Sequence, residues 1–573
     1  MQYFPELFET LLKQRGIMPE EQEDFLSPNY EKLHDPLLLP DMSKARDRII
    51  KAIKHNEHIV VFSDYDADGI PGAVVLSDFF SRVKYENVSF YIPHRHDEGF
   101  GLNLDAIVEC AERGAKLIIT VDCGVADIEE VSAANKKGID VIITDHHEPG
   151  STLPEALAIV NPKRRDSIYP FKELCGSAVV FKLVQGILAK ESFGVKLGME
   201  KWSLDMVAIA TLSDMVPLVG ENRILARFGL AVLRKSPRPG LAALFKNLNL
   251  NQKNISEDDI TFMITPRINA ASRMGVPLDA FRLLSTRDQD EAEKLTLHLE
   301  KINNERKGVV ASMVKEAKSH LTNRPELARV IVIGSPEWRP ALAGLVANSL
   351  VEDYDRPVFV WGRDGDGILK GSCRSYNGYN LHDLMSYVNE IFIEFGGHAG
   401  AGGFSITLEN LTILEEKLSQ ALDAIKAVGS PLGGPTAKSL AISLSDIGEN
   451  LWDLISQFAP FGMGNEKPIF KIPKAEIKSV RQFGKANEHL ELTLTPNIKA
   501  ISFFSSPTTY SLLPTARTCT LLANLEKSYF RDRPELRLRI VDIVGSWLRS
   551  IRMVRREETQ GQAGGGQWLV IRR

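Results

Sequence analysis

The sequence predicts an α/β protein in which a doubly wound domain on a parallel sheet is followed by a long connector helix, a second, smaller α/β domain and a β-barrel domain. In the first half, short apolar runs rich in β-branched residues alternate with helical stretches, which is typical of strands buried on both faces of a parallel sheet. A stretch rich in Glu, Lys, Leu and Ala separates this half from a second alternation, and short alternating segments follow. The length of 573 residues also exceeds what one hydrophobic core usually supports.

The elements of the first domain are three strands, at 58–63, 116–121 and 140–144, with helices at 72–83 and 126–137. The connector is expected over 286–323, which contains no proline and a single glycine. The other predicted elements are strands 329–334, 356–361 and 368–374, helices 341–353 and 381–395, and strands 438–442, 475–480, 490–494, 500–504 and 536–541.

Changes in composition and pattern predict the domain limits. A run rich in Gly and Pro at 428–435 is typical of a boundary between domains. The predicted parts are an N-terminal helical segment (1–46), the doubly wound domain (47–285), the connector (286–323), the smaller α/β domain (324–427), the β domain (437–545) and a flexible tail (546–573).

The bulk composition narrows the class of protein. A formal net charge of -5 argues against a surface that is basic throughout, although a local basic groove remains compatible with a nucleic-acid substrate. Five scattered cysteines, never spaced as CxxC, indicate a reducing compartment. The first residues resemble an amphipathic helix rather than a signal peptide, and no apolar run approaches the roughly 18 residues that span a bilayer. We therefore expect a cytoplasmic protein without a membrane partner.

Potential metal ligands follow each of the three predicted strands. Neighbouring parallel strands end at the same edge of a sheet, where ligand sites form, so residues far apart in sequence would meet there. The ligands are Asp64, Asp66 and Asp68 after the first strand, Asp122 after the second, and Asp145, His146 and His147 after the third.

Carboxylates that converge in this way require a cation. Two unit charges about 4 Å apart repel by about 4 kcal/mol at an intermediate dielectric, and a divalent ion removes that cost. A mixture of carboxylate and imidazole favours Mn²⁺ or Mg²⁺, and two ions would suit phosphate-ester hydrolysis. Taken singly, each Asp is better explained as a turn former or helix cap, and Asp214, after the apolar run 208–212, is the weakest of these candidates. Three successive strand ends are hard to explain in that way.

Ordered motifs along the chain carry a family resemblance. The chain resembles the DHH phosphoesterase superfamily and, within it, the bacterial RecJ family of single-strand-specific exonucleases, over roughly residues 40 to 545. The motifs are Asp-Tyr-Asp-Ala-Asp-Gly (64–69), Val-Asp-Cys-Gly (121–124), Asp-His-His (145–147), Leu-Ser-Asp-Met-Val-Pro-Leu (212–218), Gly-Glu-Asn-Arg (220–223), Pro-Arg-Ile-Asn-Ala-Ala-Ser-Arg (266–273), Gly-Ser-Cys-Arg-Ser (371–375), Phe-Gly-Gly-His-Ala-Gly-Ala-Gly (395–402) and Phe-Gly-Met-Gly-Asn (461–465).

The resemblance implies a role for each motif residue. His147 would touch the scissile phosphate or the attacking water, and Asp145 would orient a histidine. Asp122 would be both catalytic and a metal ligand. The implied metal ligands are Asp64, Asp66, Asp68, Asp122, His146 and Asp214, and the implied substrate-binding residues are Asn269, Arg273, Ser372, Arg374, Gly396, Gly397 and His398.

The resemblance also makes the smaller α/β domain a DHH-associated domain and the β domain an oligonucleotide-binding (OB) fold. Aromatic side chains there could stack on bases, although alternate aromatics in strands more often belong to a core. Tyr529 and Phe530 are the best candidates because Lys527, Arg531 and Arg533 surround them.

Several positions depart from the family pattern. Phe62 occupies a position where relatives often have a His that helps to hold one metal, which puts that metal in doubt. Ser272, Arg339 and Ala341 replace a familiar Gly, His and Gly, and Pro71 replaces a small hydroxyl residue. These changes leave the acids in place.

The leading hypothesis is an exonuclease that removes mononucleotides from the 5′ end of single-stranded DNA in recombination or repair. One alternative is hydrolysis of short oligonucleotides or cyclic dinucleotides, which compact members of the superfamily perform without a β domain. Another is a catalytically impaired single-strand-binding scaffold. By resemblance, a helicase and a single-strand-binding protein are expected partners, and we expect a monomer.

Overall fold

The computed structural model describes residues 4–365, 367–424, 439–484, 487, 489–503, 518–529 and 534–544. Its first sheet has five parallel strands in the order β2-β1-β3-β4-β5. The three strands predicted from sequence are present, and β2 and β5 are two more that the sequence did not reveal. The strands are β1 (Ile59–Ser63), β2 (Val88–Tyr91), β3 (Leu117–Val121), β4 (Asp140–Thr144) and β5 (Ala158–Val160).

Helices cover both faces of this sheet, which confirms the doubly wound prediction. Alternate side chains of β1 enter different cores, because successive residues of a strand point to opposite faces. The helices are α1 (Pro5–Gln14), α2 (Gln22–Leu26), α3 (Met42–Lys54), α4 (Gly69–Arg82), α5 (Leu104–Glu112), α6 (Ile128–Lys136), α7 (Gly176–Lys190), α8 (Leu204–Ser213), α9 (Gly220–Leu233), α10 (Pro239–Asn247), α11 (Thr265–Arg273) and α12 (Pro277–Ser285).

The connector helix α13 runs over Gln289–Thr322, within three residues of its predicted ends. Asp288 caps its first turn by accepting a hydrogen bond from the backbone N–H of Glu291. The helix packs against α10 and α11 of the first domain and against the helix Pro340–Tyr354 (α14) of the second. It therefore joins the two lobes.

The second domain is a mixed sheet in the order β6-β7-β8-β10-β9, in which only β6 and β7 are parallel neighbours. The predicted helix 381–395 is wrong beyond Tyr387. Phe392 and Phe404 are buried in the domain core, so the β-branched and aromatic residues that follow the helix form an edge strand. The elements are β6 (Ile331–Gly334), α14 (Pro340–Tyr354), β7 (Val358–Arg363), β8 (Leu369–Arg374), α15 (Leu381–Tyr387), β9 (Phe392–Gly397), β10 (Ala401–Ile406) and α16 (Leu408–Ala424).

The third domain is a seven-stranded sheet in the order β11-β12-β16-β17-β15-β14-β13. The predicted strand 475–480 is wrong, because it joins the end of β12 to the start of β13 across a turn. The strand β16 was not predicted. The elements are β11 (Leu440–Ala441), α17 (Glu449–Ser456), β12 (Phe470–Glu476), β13 (Ser479–Phe483), β14 (His489–Thr495), β15 (Ile498–Ser502), β16 (Thr518–Ser528) and β17 (Glu535–Val544).

The N-terminal helices α1 and α2 contribute Phe8 and Phe25 to the core of this third domain. Arg223 of α9 joins this core to the first domain. Its guanidinium group donates hydrogen bonds to the backbone oxygens of Phe25 (2.7 Å), Phe458 (3.0 Å) and Ala459 (3.1 Å). The β domain is thus tied to the first domain by a buried arginine. The domain limits given above stay predictions.

None of the helices in the described part of the chain is both long and apolar enough to cross a bilayer.

Candidate metal centre and phosphate site

The acids at the strand ends extend the hydrogen-bond ladder of the first sheet. The backbone N–H of Asp64 donates to Val121 O (3.0 Å), and that of Asp122 donates to Thr144 O (2.9 Å). The strand order reverses between β1 and β3, which is where open parallel sheets form ligand sites. Both aspartates lie at this point, so the backbone itself brings them together.

Asp122 has a backbone conformation that non-glycine residues rarely adopt, with φ of 62°. The first residue of α7, Gly176, leaves the room that this conformation requires. A Cβ at position 176 would lie 2.6 Å from both Cβ and Oδ1 of Asp122. A strained residue held by its surroundings is typical of a functional site.

The N-terminus of α7 also holds Asp68. The backbone N–H groups of Gly176 and Ser177 donate to the two carboxylate oxygens of Asp68, at 2.6 and 2.7 Å. The unpaired N–H groups at the start of a helix stabilise a negative charge. Asp66 is held in a similar way, because its Oδ1 accepts from the N–H of Asp68 at 2.7 Å. These bonds orient both carboxylates before any ion binds.

The potential ligands form one group around Asp64 and Asp66 and a second around His146, where two overlapping sets meet: Asp68–His146–Asp214 and Asp122–His146–His147. In the first group, Asp64, Asp66 and Asp122 have carboxylate oxygens within 4.8 Å of one another. In the second, His146 Nε2 lies 3.1 Å from Asp122 Oδ1, 3.7 Å from Asp214 Oδ2 and 3.8 Å from Asp68 Oδ2. The structure therefore brings together all six metal ligands that the resemblance implied, as two candidate ion positions.

The electrostatics of these groups fit a cation. Oδ1 of Asp64 is buried and accepts no hydrogen bond from the described residues. Burial and the neighbouring carboxylates raise the pKa of Asp64 and of Asp122 well above the usual range. The same causes raise the pKa of Asp214 to about 8. Buried carboxylates that repel one another in this way are stabilised by divalent ions.

Asp145 orients His147, the residue that follows the potential metal ligand His146. Its Oδ1 accepts from the backbone N–H of His146 (2.7 Å) and lies 2.8 Å from His147 Nδ1. Burial opposes protonation of His147, but this hydrogen bond and the charge of Asp145 outweigh it and raise the pKa of His147 to about 9. The contact with Asp145 therefore favours the protonated imidazole, with Nδ1 of His147 directed at Asp145.

Phe62 does not contribute to this centre. Its fully buried ring stacks on Tyr91, with ring centroids 5.1 Å apart, in the core on one face of the sheet. The group formed by Asp64, Asp66 and Asp122 is consequently made of oxygen ligands alone among the described residues.

An arginine cluster lies beside the carboxylates. Arg273, on α11, is partly buried, and burial together with Arg95, Arg306 and Arg374 lowers its pKa to about 9. Three arginines from the two lobes and the connector helix are thus near enough to Arg273 to act on its charge, and such a cluster favours an anion such as phosphate. The guanidinium carbon of Arg95 lies 4.9 Å from the ring centroid of Tyr65, next to two of the metal ligands.

The sequence predicted two members of this cluster, Arg273 and Arg374, and missed Arg95 and Arg306. Neither missed residue belongs to a motif that sequence reasoning singled out. Asn269 lies one turn before Arg273 on α11, as expected if that stretch was helical. Its side-chain oxygen accepts from the N–H of Ala67 (2.9 Å) and so supports the loop that carries the acids.

The predicted substrate residues of the second lobe lie on β8, on β9 and in the turn after β9, and β10 pairs with both strands. Ser372 of β8 pairs with Gly403 of β10, which pairs in turn with Gly396 of β9. A Cβ on Gly397 would lie 2.4 Å from Ala401 O, so this turn requires glycine. His398 is exposed at the same turn, and its N–H donates to Ala401 O (2.8 Å). Arg374, at the end of β8, is the member of this group that reaches the arginine cluster.

The stacking candidate Tyr529 is partly buried just after β16. Its basic neighbour Lys527 forms an ion pair with Glu449 (2.7 Å). Phe530, Arg531, Arg533 and the tail at 546–573 lie outside the described residues. The stacking role of Tyr529 stays a prediction.

Comparisons with known proteins agree with this architecture. Family models match the chain for the N-terminal domain of the DHH family over residues 58–211, for the DHHA1 domain over 327–429 and for the RecJ OB domain over 439–542. A crystal structure of RecJ in complex with Mn²⁺ from Thermus thermophilus matches with a TM-score of 0.75 and 26% identity, covering 94% of this chain and 76% of that one. A crystal structure of exonuclease RecJ bound to manganese matches with a TM-score of 0.57 and 30% identity. This match covers 68% of this chain and 96% of that one.

Curated relatives give the same result. The chain is 34% identical over 548 residues to the single-stranded-DNA-specific exonuclease RecJ of Bacillus subtilis, which covers 94% of this chain and 68% of the relative. It is 30% identical over 557 residues to the enzyme of that name from Haemophilus influenzae. The match covers 94% of this chain and 96% of that relative. The resemblance predicted from the motifs is confirmed, and the chain belongs to the RecJ family of single-stranded-DNA-specific exonucleases.

Proposed function

We propose that this chain is a metal-dependent exonuclease that hydrolyses single-stranded DNA from its 5′ end into mononucleotides, in recombination and repair. The observation that carries the proposal is the pairing of two sites of opposite charge. A carboxylate cluster that requires cations lies beside an arginine cluster that requires an anion. A terminal phosphate in the arginine cluster would place the next phosphodiester bond at the carboxylates.

The carboxylates and His146 would hold two Mn²⁺ or Mg²⁺ ions, with Asp122 shared between them. When bound, such ions activate water and neutralise the charge that develops on a phosphodiester. The remaining ligands of the two positions are Asp64, Asp66, Asp68 and Asp214.

The protonated His147 would act on the substrate. Since its Nδ1 is engaged with Asp145, Nε2 is the nitrogen left to donate to a phosphate oxygen or to orient the attacking water. Asp145 is a positioning residue in this scheme. It stabilises the protonated imidazole and keeps it beside Asp122, whose Oδ1 lies 3.9 Å from His147 Nδ1.

The arginine cluster and the second lobe would bind the terminal phosphate. Arg273 is well placed to link the lobes, because its guanidinium group also donates to the backbone oxygen of Ala341 at the start of α14. Arg374 and Ser372 would approach from β8, and Gly396, Gly397 and His398 from the turn after β9. Arg95 and Arg306 join this set as two further phosphate contacts.

The structure favours this proposal over the two alternatives. Compact hydrolases of short oligonucleotides lack a β domain, whereas the β domain here is tied to the first domain by Arg223. A catalytically impaired single-strand-binding scaffold would have no need for converging carboxylates whose charges repel. We further propose that the protein is a cytoplasmic monomer that acts with a helicase and a single-strand-binding protein.

The test is digestion of a 3′-labelled single strand with Mn²⁺ by the wild-type protein and by Asp122→Ala. The wild-type protein should shorten the strand progressively, and the variant should leave it intact while still binding it. A wild-type protein that binds the strand and does not shorten it would refute the proposal. Matched strands labelled at the 5′ end report the polarity, since 5′-to-3′ cleavage releases the label as a mononucleotide at once.

A further inference from the structure

A chain of flat side chains crosses from the β domain to the first domain. The rings of Phe483 and His489 lie 5.0 Å apart between centroids, and those of His489 and Phe503 lie 5.2 Å apart, each pair packed edge to face. The guanidinium carbon of Arg539 lies 5.4 Å from the centroid of Phe503 and 5.5 Å from that of Phe262. Four members belong to the β domain, and Phe262 belongs to the first domain.

Phe262 is the unusual member of this series, because 56% of it is exposed. It lies on a π-helix, Asp259–Ile264, which continues directly into α11. Single π-helical turns inside α-helices are rare and frequently lie at functional sites. Arg539 lies over one face of this ring, and the exposed remainder is accessible to a ligand.

The arginines of this region are held in place by acids. Arg539 Nη1 lies 3.3 Å from Glu526 Oε1 and 3.9 Å from Asp258 Oδ2, and Arg537 Nη2 lies 3.4 Å from Glu526 Oε2. These pairs orient the guanidinium planes and also cancel much of their charge. The surface therefore favours the flat faces of bases more than the charges of phosphates.

We propose that Phe483, His489, Phe503, Arg539 and Phe262 form a stacking ladder that leads the bases of single-stranded DNA from the β domain to α11. Base–aromatic stacking tolerates every sequence, as an exonuclease requires. The inference rests on the proposed function, since it assigns a path to the substrate of that same site.

The position of Phe262 links the ladder to the metal and phosphate sites. The helix that follows it carries Asn269 and Arg273. At the start of that helix, the hydroxyl oxygen of Thr265 lies 2.5 Å from that of Ser213, the residue before Asp214. A base stacked on Phe262 would therefore contact the element that positions the phosphate-binding arginine.

The experiment measures the affinity for DNA and needs no cleavage. In an Asp122→Ala background, Phe262→Ala should weaken binding of a strand of roughly 20 thymidylates by about 5- to 50-fold, as expected for the loss of one stacking platform. Phe262→Trp should bind within about twofold of the parent, whereas Phe262→Leu should resemble Phe262→Ala. The matched control is Leu297→Ala, a side chain 65% exposed on the connector helix, which should change nothing.

An abasic strand of the same length separates stacking from charge. It carries the same phosphates without bases, so Phe262→Ala and the parent should bind it equally. Three results would overturn the proposal: parental affinity of Phe262→Ala for the thymidylate strand, equal weakening toward the abasic strand, or parental affinity of Phe262→Leu. Because binding is measured without hydrolysis, a failure of the proposed exonuclease activity would appear separately, in the digestion assay.

Discussion

Replacing Gly176 with alanine should disrupt the metal centre without unfolding the protein. The new Cβ would lie 2.6 Å from Asp122 Oδ1 and Cβ, about 0.8 Å closer than ordinary van der Waals contact allows. Asp122 is buried and held in a left-handed conformation, so its side chain has little freedom to withdraw. If α7 moves instead, the hydrogen bonds from positions 176 and 177 to Asp68 lengthen.

Either movement displaces a metal ligand by nearly 1 Å. A misplacement of that size at a catalytic centre can reduce the rate by about 100-fold, and overpacking of a core typically costs about 1–3 kcal/mol of stability. Gly176→Ala should therefore lose about two orders of magnitude in kcat and bind Mn²⁺ more weakly, while it still unfolds cooperatively.

The same helix offers a matched control. A Cβ on Gly186 would lie 3.4 Å from the flexible Met42 Sδ, which is ordinary contact. Gly186→Ala should keep full activity and gain up to about 1 kcal/mol, because alanine favours a helix interior. The assays are digestion of a labelled single strand, Mn²⁺ titration by calorimetry and thermal unfolding. If Gly176→Ala kept kcat within twofold of the wild type, this reasoning about Asp122 would be wrong.

Three further outcomes follow from the charges of the site and its surroundings. Burial and neighbouring carboxylates raise the pKa of Asp122, and they raise that of Asp214 to about 8. Mn²⁺ should therefore displace protons and bind more tightly as the pH rises from 6 to 8. Calorimetry in buffers of different ionisation enthalpy would show this, and binding independent of pH would contradict it. Arg273→Met should lower kcat/KM by about 10- to 100-fold, the usual worth of a charge-assisted bond, with a smaller loss on strands that lack a 5′-phosphate; equal losses on both strands would argue against a phosphate contact. Burial raises the pKa of Asp127 from 3.8 to about 6, so the stabilisation from its neutral form is present below pH 4 and is lost as the pH rises through 6. Asp127→Asn should thus raise the free energy of unfolding by about 1–2 kcal/mol at pH 8 and by little at pH 4, and denaturant titrations that gave the same difference at both pH values would refute the assignment.

The sequence predicted that the acids at the strand ends would meet, because their meeting depends on a local pattern. Apolar runs that end in acids indicate strands, and parallel strands bring their ends together whatever the intervening chain. Asp64, Asp122 and His146 therefore meet as expected. The left-handed backbone of Asp122 and its contact with Gly176 arise from packing between β3 and α7, which no local pattern reveals.

The arginine cluster was predicted only in part. Arg306 lies on the connector helix and Arg95 in the loop after β2, and only the folded chain brings them next to Arg273. The same holds for Phe262 and Arg539, which belong to different domains. The helix predicted at 381–395 ends instead at Tyr387, because Phe392 is buried in the core of the second domain. Burial of that aromatic side chain in a strand outweighs the helix propensity of the segment.

The proposed metal centre depends most on the two ion positions that share Asp122. Anomalous diffraction from crystals soaked in Mn²⁺ tests them directly. Two peaks are expected, one among Asp64, Asp66 and Asp122 and the other among Asp68, Asp122, His146 and Asp214, with only the latter in contact with an imidazole. A single peak, or peaks elsewhere in the protein, would contradict the proposed centre.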